Sequence, residues 1–344
     1  MPDSGNPEAK ASPNLPWTTR LLMSAVAFAV DVSCRPNMTF NRRLFNLVDL
    51  KCSASSQPKN GVKSSDIVID SGRNLWFRLY TPTNIVTETS TTSSLPVIVY
   101  FHGGGFVLLA ANSKRFDDHC RRLAKEIPAV VISVNYRLAP ENRYPSQYDD
   151  GIDVLKFIDS KISTVEDFPD CADLKRCFVA GDSAGGNLAH NVAVRANECS
   201  FSNLKLIGVI AIQPFFGGEE RTQSEEDLND ITPLVSLKHS DWMWKAFLPE
   251  GSDRDHPAAN TFGKNAIDIS GVDIPATMVI VGGFDPLKVW QKRHYEGLKR
   301  HGKEAYLIEY PNVVHGFYFF PELHQGSLFI DNVRNFIQDQ SAKS

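Results

Sequence analysis

The 344-residue sequence lacks features that define several classes of protein. Its longest apolar run, Leu21 to Val30, is too short for a bilayer-spanning helix, which needs about 20 residues. Lys and Arg number 36 against 40 Asp and Glu, so the chain lacks the basic excess with which nucleic-acid-binding proteins neutralise phosphates. Its hydrophobic fraction of 42% is too high for general disorder. These observations argue against a membrane span, a nucleic-acid partner and an unfolded chain.

Cysteine is also scarce, and its spacing indicates neither a disulfide framework nor a metal site. The six cysteines are too few for a disulfide-stabilised fold of this length, and no C-x-x-C pair occurs. Cys171 and Cys177 have no matching His or Cys cluster that would complete a zinc site. We therefore expect no metal, and a reducing, cytoplasmic compartment. One alternative stays open, because the run at 21–30 has the length of a signal-peptide core.

The N-terminal part is predicted to be a tail followed by a helical segment. Residues 1–16 carry four prolines and are expected to form a flexible tail. Residues 17–60 are expected to form a helical lid segment in two pieces, separated by Arg35-Pro36-Asn37. The second piece places four apolar residues on one helix face, namely Phe40, Leu44, Leu47 and Val48.

Residues 61–344 alternate short apolar runs with helical patterns, which is typical of an α/β domain. A hairpin is predicted around Asp70-Ser71-Gly72. Near-continuous Val, Ile and Leu runs suit parallel strands that are buried on both faces. These runs are Val97 to Phe101, Val130 to Val134, Phe178 to Ala180, Leu206 to Ile212, Met278 to Val281 and Tyr306 to Ile308. An acidic and then aromatic stretch at about 217–260 interrupts the alternation and is expected to form a lid insertion.

Gly181-Asp182-Ser183-Ala184-Gly185 matches the G-x-S-x-G pattern between a predicted strand and a predicted helix. A sharp strand-to-helix turn needs glycines beside the serine, because the backbone folds back on itself. The turn exposes the hydroxyl and directs the positive end of the helix dipole towards developing negative charge. Ser183 is therefore a candidate nucleophile, and a glycine-rich helix start without a nucleophile is the alternative.

A second glycine-rich segment, His102-Gly103-Gly104-Gly105-Phe106, follows the strand at 97–101. Glycines at a strand end let backbone N–H groups approach a substrate, and a tetrahedral oxyanion needs two or three such donors. The candidate oxyanion-hole residues are Gly103, Gly104, Gly105 and Ala184. His102 is expected to shape this loop rather than to act in the reaction. A merely flexible loop is the alternative.

A serine nucleophile requires a base, and the base requires an acid that orients it. Among nine histidines, His315 lies in a loop after a predicted strand, and Asp285 follows another strand. The chain order Ser183, Asp285, His315 is the one expected of α/β-hydrolases. Rival acids lack this combination of order and position; they are Asp149, Asp150 and Asp273.

Five motifs in one order resemble the hormone-sensitive-lipase-like branch of the α/β-hydrolases, and specifically plant carboxylesterases. They are HGGGF at 102–106, YRLAPE at 136–141, GDSAGGN at 181–187, FDPL at 284–287 and HGF at 315–317. Residues 35–42 also resemble the N-terminal extension of gibberellin receptors, which in this family forms part of a lid. The resemblance implies an α/β-hydrolase fold, with a mostly parallel central sheet, helices on both faces and a helical lid.

The resemblance also implies where a hydrolase differs from a receptor. Gibberellin receptors keep the serine and the aspartate, have lost the catalytic histidine, and typically carry serine at the third glycine of the oxyanion loop. This sequence has His315 and Gly105, so its hydrolytic residues are complete. One departure is Val289, at a position where relatives often carry an acid.

The predicted function is that of a serine carboxylesterase, which hydrolyses small carboxylic esters through an acyl-enzyme without a cofactor. The mild net acidity suits a neutral or weakly polar ester better than a polyanion. Five aromatic residues are candidates for the substrate pocket, with core packing as the alternative for at least half of them: Phe215, Phe216, Trp242, Trp244 and Phe317. Two other functions stay open, a lyase resembling 2-hydroxyisoflavanone dehydratases and a non-hydrolytic small-molecule receptor. The pattern indicates neither the acyl and alcohol preference nor the oligomeric state.

Overall fold

The computed structural model describes residues 15–83, 94–229, 231 and 234–344. Most of the predicted tail, residues 1–14, therefore lies outside the described residues. Eight strands of the described chain form one sheet: β1 (Val62–Asp70), β2 (Leu75–Pro82), β3 (Leu95–Phe101), β4 (Val130–Asn135), β5 (Ala172–Asp182), β6 (Leu206–Ile212), β7 (Ala276–Phe284) and β8 (Ala305–Val314).

The helices accompany this sheet before, between and after its strands. They are α1 (Trp17–Ser33), α2 (Arg42–Phe45), α3 (Lys114–Glu126), α4 (Ser146–Lys161), α5 (Ala184–Ala196), α6 (Gln223–Leu228), α7 (Leu237–Phe247), α8 (Lys288–Arg300) and α9 (His324–Lys343). Among the residues described, no helix combines the length and the apolar character that crossing a membrane requires.

The strand order is β1-β2-β4-β3-β5-β6-β7-β8. The six strands from β3 to β8 pair in parallel, whereas β1 and β2 form an antiparallel hairpin at one edge. All six predicted parallel strands and the predicted hairpin are confirmed. Parallel strands place their carboxyl ends at one edge of the sheet, so the loops that follow β3, β5, β7 and β8 meet there.

Both faces of the sheet are covered, as the apolar strand composition predicts. Every residue of β3 and β4 is buried. Successive side chains of β3 alternate between two cores. Val97 and Val99 pack in a core with Leu155 of α4, and Ile98 packs in the other with Phe329 of α9.

The second piece of the N-terminal segment is the part that the helical pattern predicted wrongly. The helix α2 is a single turn, and Leu47 and Val48 are 75% and 42% exposed instead of sharing a buried face. After α2 the backbone pairs with the loop before α3: the Cys52 N–H donates to Asn112, and the carbonyl of Leu50 accepts from Lys114. These hydrogen bonds hold the chain extended, so the helix cannot continue.

A buried ionic network ties the edge hairpin to α3. Asp117 on α3 accepts hydrogen bonds from Arg78 (3.1 Å), Tyr80 (3.0 Å) and Arg121 (2.8 Å). Arg78 is 1% exposed and also binds Asp66 through both carboxylate oxygens, at 2.6 and 2.7 Å. The network fixes the position of α3 against the sheet.

Replacing Asp117 should therefore destabilise the fold far more than replacing its neighbour. The substitution Asp117→Ala leaves two buried guanidinium groups short of an acceptor, and we expect a loss of about 3–5 kcal/mol in the free energy of unfolding. Asp118→Ala removes only the exposed pair with Lys114 and should cost less than about 1 kcal/mol. Urea unfolding of both variants measures the difference, and equal losses would contradict a structural role for the network.

Candidate active site

Ser183 lies at a sharp turn between β5 and α5, as the sequence motif predicts. Its backbone has a φ of +52° and a ψ of −117°, a conformation that non-glycine residues adopt only when the surrounding structure enforces it. The Ser183 N–H donates to the carbonyl of Ile212 at the end of β6, at 2.9 Å. A Cβ atom on Gly185 would lie 1.9 Å from the carbonyl oxygen of Phe101. The motif glycine therefore allows β3 and the turn to approach closely.

His315 and Asp285 form a hydrogen-bonded pair next to this turn. His315 follows β8, Asp285 follows β7, and Nδ1 of the imidazole lies 2.8 Å from Oδ2 of the carboxylate. Asp285 is fully buried and also accepts from the backbone N–H of Leu287 (3.0 Å) and the side chain of Gln291 (2.8 Å). Gln291 was not singled out from the sequence, although its place one turn into α8, six residues after Asp285, could have indicated it.

The pKa of His315 reflects two opposing influences. Burial favours the neutral imidazole and lowers the pKa, but the charge and the hydrogen bond of Asp285, together with the charge of Asp182, outweigh burial, so that the pKa is raised above 6.5. Because Asp285 holds Nδ1, the other ring nitrogen is left for the cavity. No hydrogen bond joins Ser183 to His315 within the described part of the chain, although both residues line one cavity. Catalytic hydrogen bonds are often long before substrate binds.

The loop after β3 provides backbone N–H donors, but the N–H of Gly103 already has an acceptor. It donates to Oδ1 of Asp182 at 3.0 Å. The prediction that Gly103 belongs to the oxyanion hole is therefore corrected. Gly104 and Gly105 have φ values of +109° and +59°, and among the described residues neither amide has an acceptor. The N–H of Ala184, the first residue of α5, points out of the helix start. Three amides therefore remain as candidates.

Asp182 is a further site residue whose role the sequence did not reveal. Its buried carboxylate accepts from the hydroxyls of Tyr100 (2.7 Å) and Tyr318 (2.9 Å) in addition to Gly103. Burial raises the pKa of Asp182 to about 6, opposed by these hydrogen bonds. A Cβ atom on Gly103 would lie 2.4 Å from the carboxylate, so this contact requires glycine. Asp182 occupies the first variable position of the G-x-S-x-G pattern, and the pattern does not specify a residue there, so the sequence did not indicate this role.

His102 packs beneath the same loop. Its ring stacks on Tyr136 with centroids 4.2 Å apart, and Nδ1 lies 2.8 Å from the carbonyl oxygen of Gly103. Full burial lowers the pKa of His102 to about 3, so the imidazole is neutral. This environment fits a residue that shapes the loop.

A cavity of about 420 Å³ contains Ser183, His315, Gly104 and Gly105. Its walls come from α1, α3, α7 and the loop after His315. Residues spaced four apart on α1 line one side; they are Leu22, Val26 and Val30. The N-terminal segment and the insertion at 217–260, represented by Ser240 and Met243, therefore both border the cavity.

Of the five predicted pocket aromatics, only Phe215 lines this cavity. Trp244 is buried behind it, with the two rings stacked 4.2 Å apart. Phe216 stacks on His294 at 4.1 Å, and Phe317 is fully buried in the core on the α9 side of the sheet. Trp242 donates its indole N–H to the carbonyl of Arg35 at 3.0 Å. Four of the five candidates therefore follow the alternative of core packing, because their rings pack into the protein or between α7 and the N-terminal segment, and Phe215 stays a candidate for the substrate pocket.

In the described parts of the chain, no group of three or more His, Cys, Asp and Glu residues could hold a metal ion.

Comparisons with known proteins agree with this fold. A family model described as the alpha/beta hydrolase fold matches residues 98–319, and one described as the carboxylesterase family matches residues 49–140. Gibberellin receptor GID1C of Arabidopsis thaliana is 43% identical over 94% of this chain and 94% of its own. Carboxylesterase 20 of the same plant is 37% identical over 88% of this chain and 93% of its own.

Solved esterases share the fold. An ester-hydrolase from the metagenome of Lake Arreo is 28% identical, with a TM-score of 0.72, over 95% of this chain and 99% of its own. An esterase from Pyrobaculum calidifontis is 26% identical, with a TM-score of 0.69, over 96% and 95% of the two chains. The chain therefore belongs to the hormone-sensitive-lipase-like family of α/β-hydrolases, whose plant members include carboxylesterases and gibberellin receptors.

Proposed function

We propose that this protein is a serine carboxylesterase that hydrolyses small carboxylic esters through an acyl-enzyme. One observation carries the proposal: the strained Ser183, His315 and the unpartnered amides of Gly104 and Gly105 border a single cavity. Asp285 holds His315 from behind, and the N–H of Ala184 follows Ser183 directly at the start of α5. Each group corresponds to one requirement of acyl transfer, namely a nucleophile, a base and a site for the oxyanion.

In the proposed mechanism, Ser183 attacks the ester carbonyl while His315 accepts the hydroxyl proton at its free nitrogen. Asp285 holds the imidazole by Nδ1 and stabilises the imidazolium that forms. The carbonyl oxygen becomes an oxyanion and accepts hydrogen bonds from the amides of Gly104, Gly105 and Ala184. Each such donor contributes on the order of 100–1,000-fold to the rate.

Collapse of the tetrahedral intermediate breaks the bond to the alcohol, and His315 protonates the departing oxygen. Water then takes the place of the alcohol, His315 removes a proton from it, and the hydroxide attacks the acyl group on Ser183. The second intermediate collapses to release the carboxylic acid and restores the serine hydroxyl. The same two side chains therefore serve both halves of the reaction.

A small-molecule receptor is the second candidate, because a gibberellin receptor is 43% identical over nearly the whole chain and because α1 closes one side of the cavity. Two residues favour hydrolysis instead. His315 is present and paired with Asp285. At position 105 the backbone φ of +59° favours glycine, and the serine expected of the receptors would require the Met243 side chain to move, because a Cβ atom would lie 2.0 Å from its Sδ.

Replacing the nucleophile or the base should abolish turnover of simple esters. We expect wild-type protein to hydrolyse 4-nitrophenyl acetate and butyrate and to react with a fluorophosphonate, and Ser183→Ala to lose both properties. His315→Ala should reduce kcat by about 10⁴-fold or more. Retained hydrolysis in Ser183→Ala would reject the nucleophile. A receptor would show no turnover in the wild type, and a lyase would release an elimination product instead of an acid and an alcohol.

The pH dependence of kcat/KM should follow the protonation of the His315 imidazole. The neutral imidazole is the base, so activity falls as the pH drops through its pKa, and the raised pKa places this midpoint above 6.5. In Asp285→Asn the largest influence that raises the pKa is lost, so the residual activity should have its midpoint at a lower pH. Asp273→Asn, a change outside the site, serves as the control. A midpoint in Asp285→Asn that is unchanged or higher would contradict the assignment.

Asp182 is proposed to position the oxyanion loop through Gly103. In Asp182→Asn the negative charge that strengthens all three hydrogen bonds is lost, and one of the three donors also loses its acceptor because the amide nitrogen cannot accept. We expect kcat to fall by about 10–100-fold with little change in KM, because the loop acts mainly on the transition state. Tyr318→Phe removes only one of the hydrogen bonds and should have a smaller effect. An increase in KM at constant kcat would indicate a role in substrate binding instead.

A further inference from the structure

The helix α3 presents a stripe of nitrogen-bearing side chains to the cavity. Arg115, His119 and Arg122 are spaced four and three residues apart, which places them on one helix face, and all three line the cavity. The buried network around Asp117 holds this helix against the sheet. The stripe is therefore a fixed part of the cavity wall.

Arg115 differs from the other charged residues that line the cavity. Lys114 and Asp118 pair with each other, Arg122 pairs with Glu126, Asp49 pairs with Lys51, and the carboxylate of Asp182 accepts from two tyrosines and Gly103. In the described part of the chain, the Arg115 guanidinium has neither an ion pair nor a hydrogen-bond acceptor. Its five N–H donors are therefore available to a ligand.

The two neighbouring members of the stripe also have unmet hydrogen-bonding capacity. His119 is 3% exposed, and neither of its ring nitrogens has a partner among the described residues. Burial lowers the pKa of His119 to about 3, so the ring is neutral. The Nη1 atom of Arg122 is likewise buried without a partner. Buried polar groups are normally paired, so the helix face around Arg115 holds more hydrogen-bond donors than the described residues satisfy.

The guanidinium lies close to the catalytic loop. Its central carbon is 5.3 Å from the ring centroid of Phe319, and Phe319 packs beside Gly316, next to His315. The cation–π contact fixes the guanidinium plane but satisfies none of its N–H groups. Burial also lowers the pKa of Arg115, which reflects the cost of holding an unpaired charge there. A bound anion would offset that cost.

We propose that Arg115 binds a carboxylate on the substrate, so that the preferred substrates are esters that carry one free acid group. This inference rests on the proposed function, since the ester must reach Ser183. A carboxylate fits because its two oxygens match the planar fork of a guanidinium. A polyanion fits poorly, because Arg115 is the one cation without a partner among the described residues that line the cavity, and two acidic residues, Asp49 and Asp182, also line it.

Two matched pairs of esters test the proposal. With the acid in the acyl part, 4-nitrophenyl hydrogen glutarate is compared with 4-nitrophenyl pentanoate. With the acid in the alcohol part, 4-acetoxybenzoate is compared with phenyl acetate. We expect wild type to favour the acidic member of at least one pair by about tenfold or more in kcat/KM, after correction for the spontaneous hydrolysis of each ester.

The preference should depend on Arg115. In Arg115→Met the ratio of acidic to neutral kcat/KM should fall about tenfold or more, and Arg115→Lys should restore part of it, since the charge returns without the fork. Lys125→Met is the matched control, because it removes one positive charge from the same helix at an exposed position. Its ratio should equal that of wild type.

A binding measurement separates this inference from the proposed function. Calorimetry with Ser183→Ala, which cannot form the acyl-enzyme, should show tighter binding of the acidic ester than of its neutral match, and Ser183→Ala/Arg115→Met should lose that difference. Hydrolysis without any acidic preference, or a preference that persists in Arg115→Met, would overturn the inference and leave the esterase intact. Acid-selective binding without turnover by wild type would overturn the esterase and leave the Arg115 site intact.

Discussion

The candidate active site depends on one buried carboxylate, that of Asp182. It joins three parts of the chain that are distant in sequence: the end of β3 through Tyr100, the oxyanion loop through Gly103, and the segment after His315 through Tyr318. Asp182 also directly precedes Ser183. A hydrogen-bonded carboxylate in a site of low polarity is costly to disturb. One side chain therefore keeps the loop that carries the candidate oxyanion donors, the nucleophile and the base segment in register.

The features that the sequence predicted correctly are those set by backbone geometry and by the spacing of motifs. Glycines at 181 and 185 are needed because a Cβ atom there would collide with backbone, so the turn at Ser183 could be recognised from residue types alone. The parallel strands were recognisable because burial on both faces demands continuous apolar runs. The order of Asp285 and His315 followed from the same pattern, and their 2.8 Å contact agrees with it.

Long-range packing could not be predicted in the same way. Trp244 and Phe216 look like pocket residues by composition, but stacking on Phe215 and His294 places them behind the wall. Gly103 matched the oxyanion motif, yet its amide is taken by a carboxylate 79 positions away. Conversely, no motif in the sequence singled out Arg115. Only the fold shows that it faces the same cavity as Ser183 and lacks a partner among the described residues.

The cavity combines the candidate site for acyl transfer with walls of two kinds, an apolar one from α1 and a nitrogen-rich one from α3. The most direct test of the central claim is mass spectrometry of the intact protein, quenched in acid within milliseconds to seconds of mixing with 4-nitrophenyl butyrate. The account predicts one butyryl group per chain, located on Ser183 by peptide mapping and lost as hydrolysis proceeds. Release of 4-nitrophenol with no butyryl group on Ser183 at any quench time, or with the group on another residue, would contradict it.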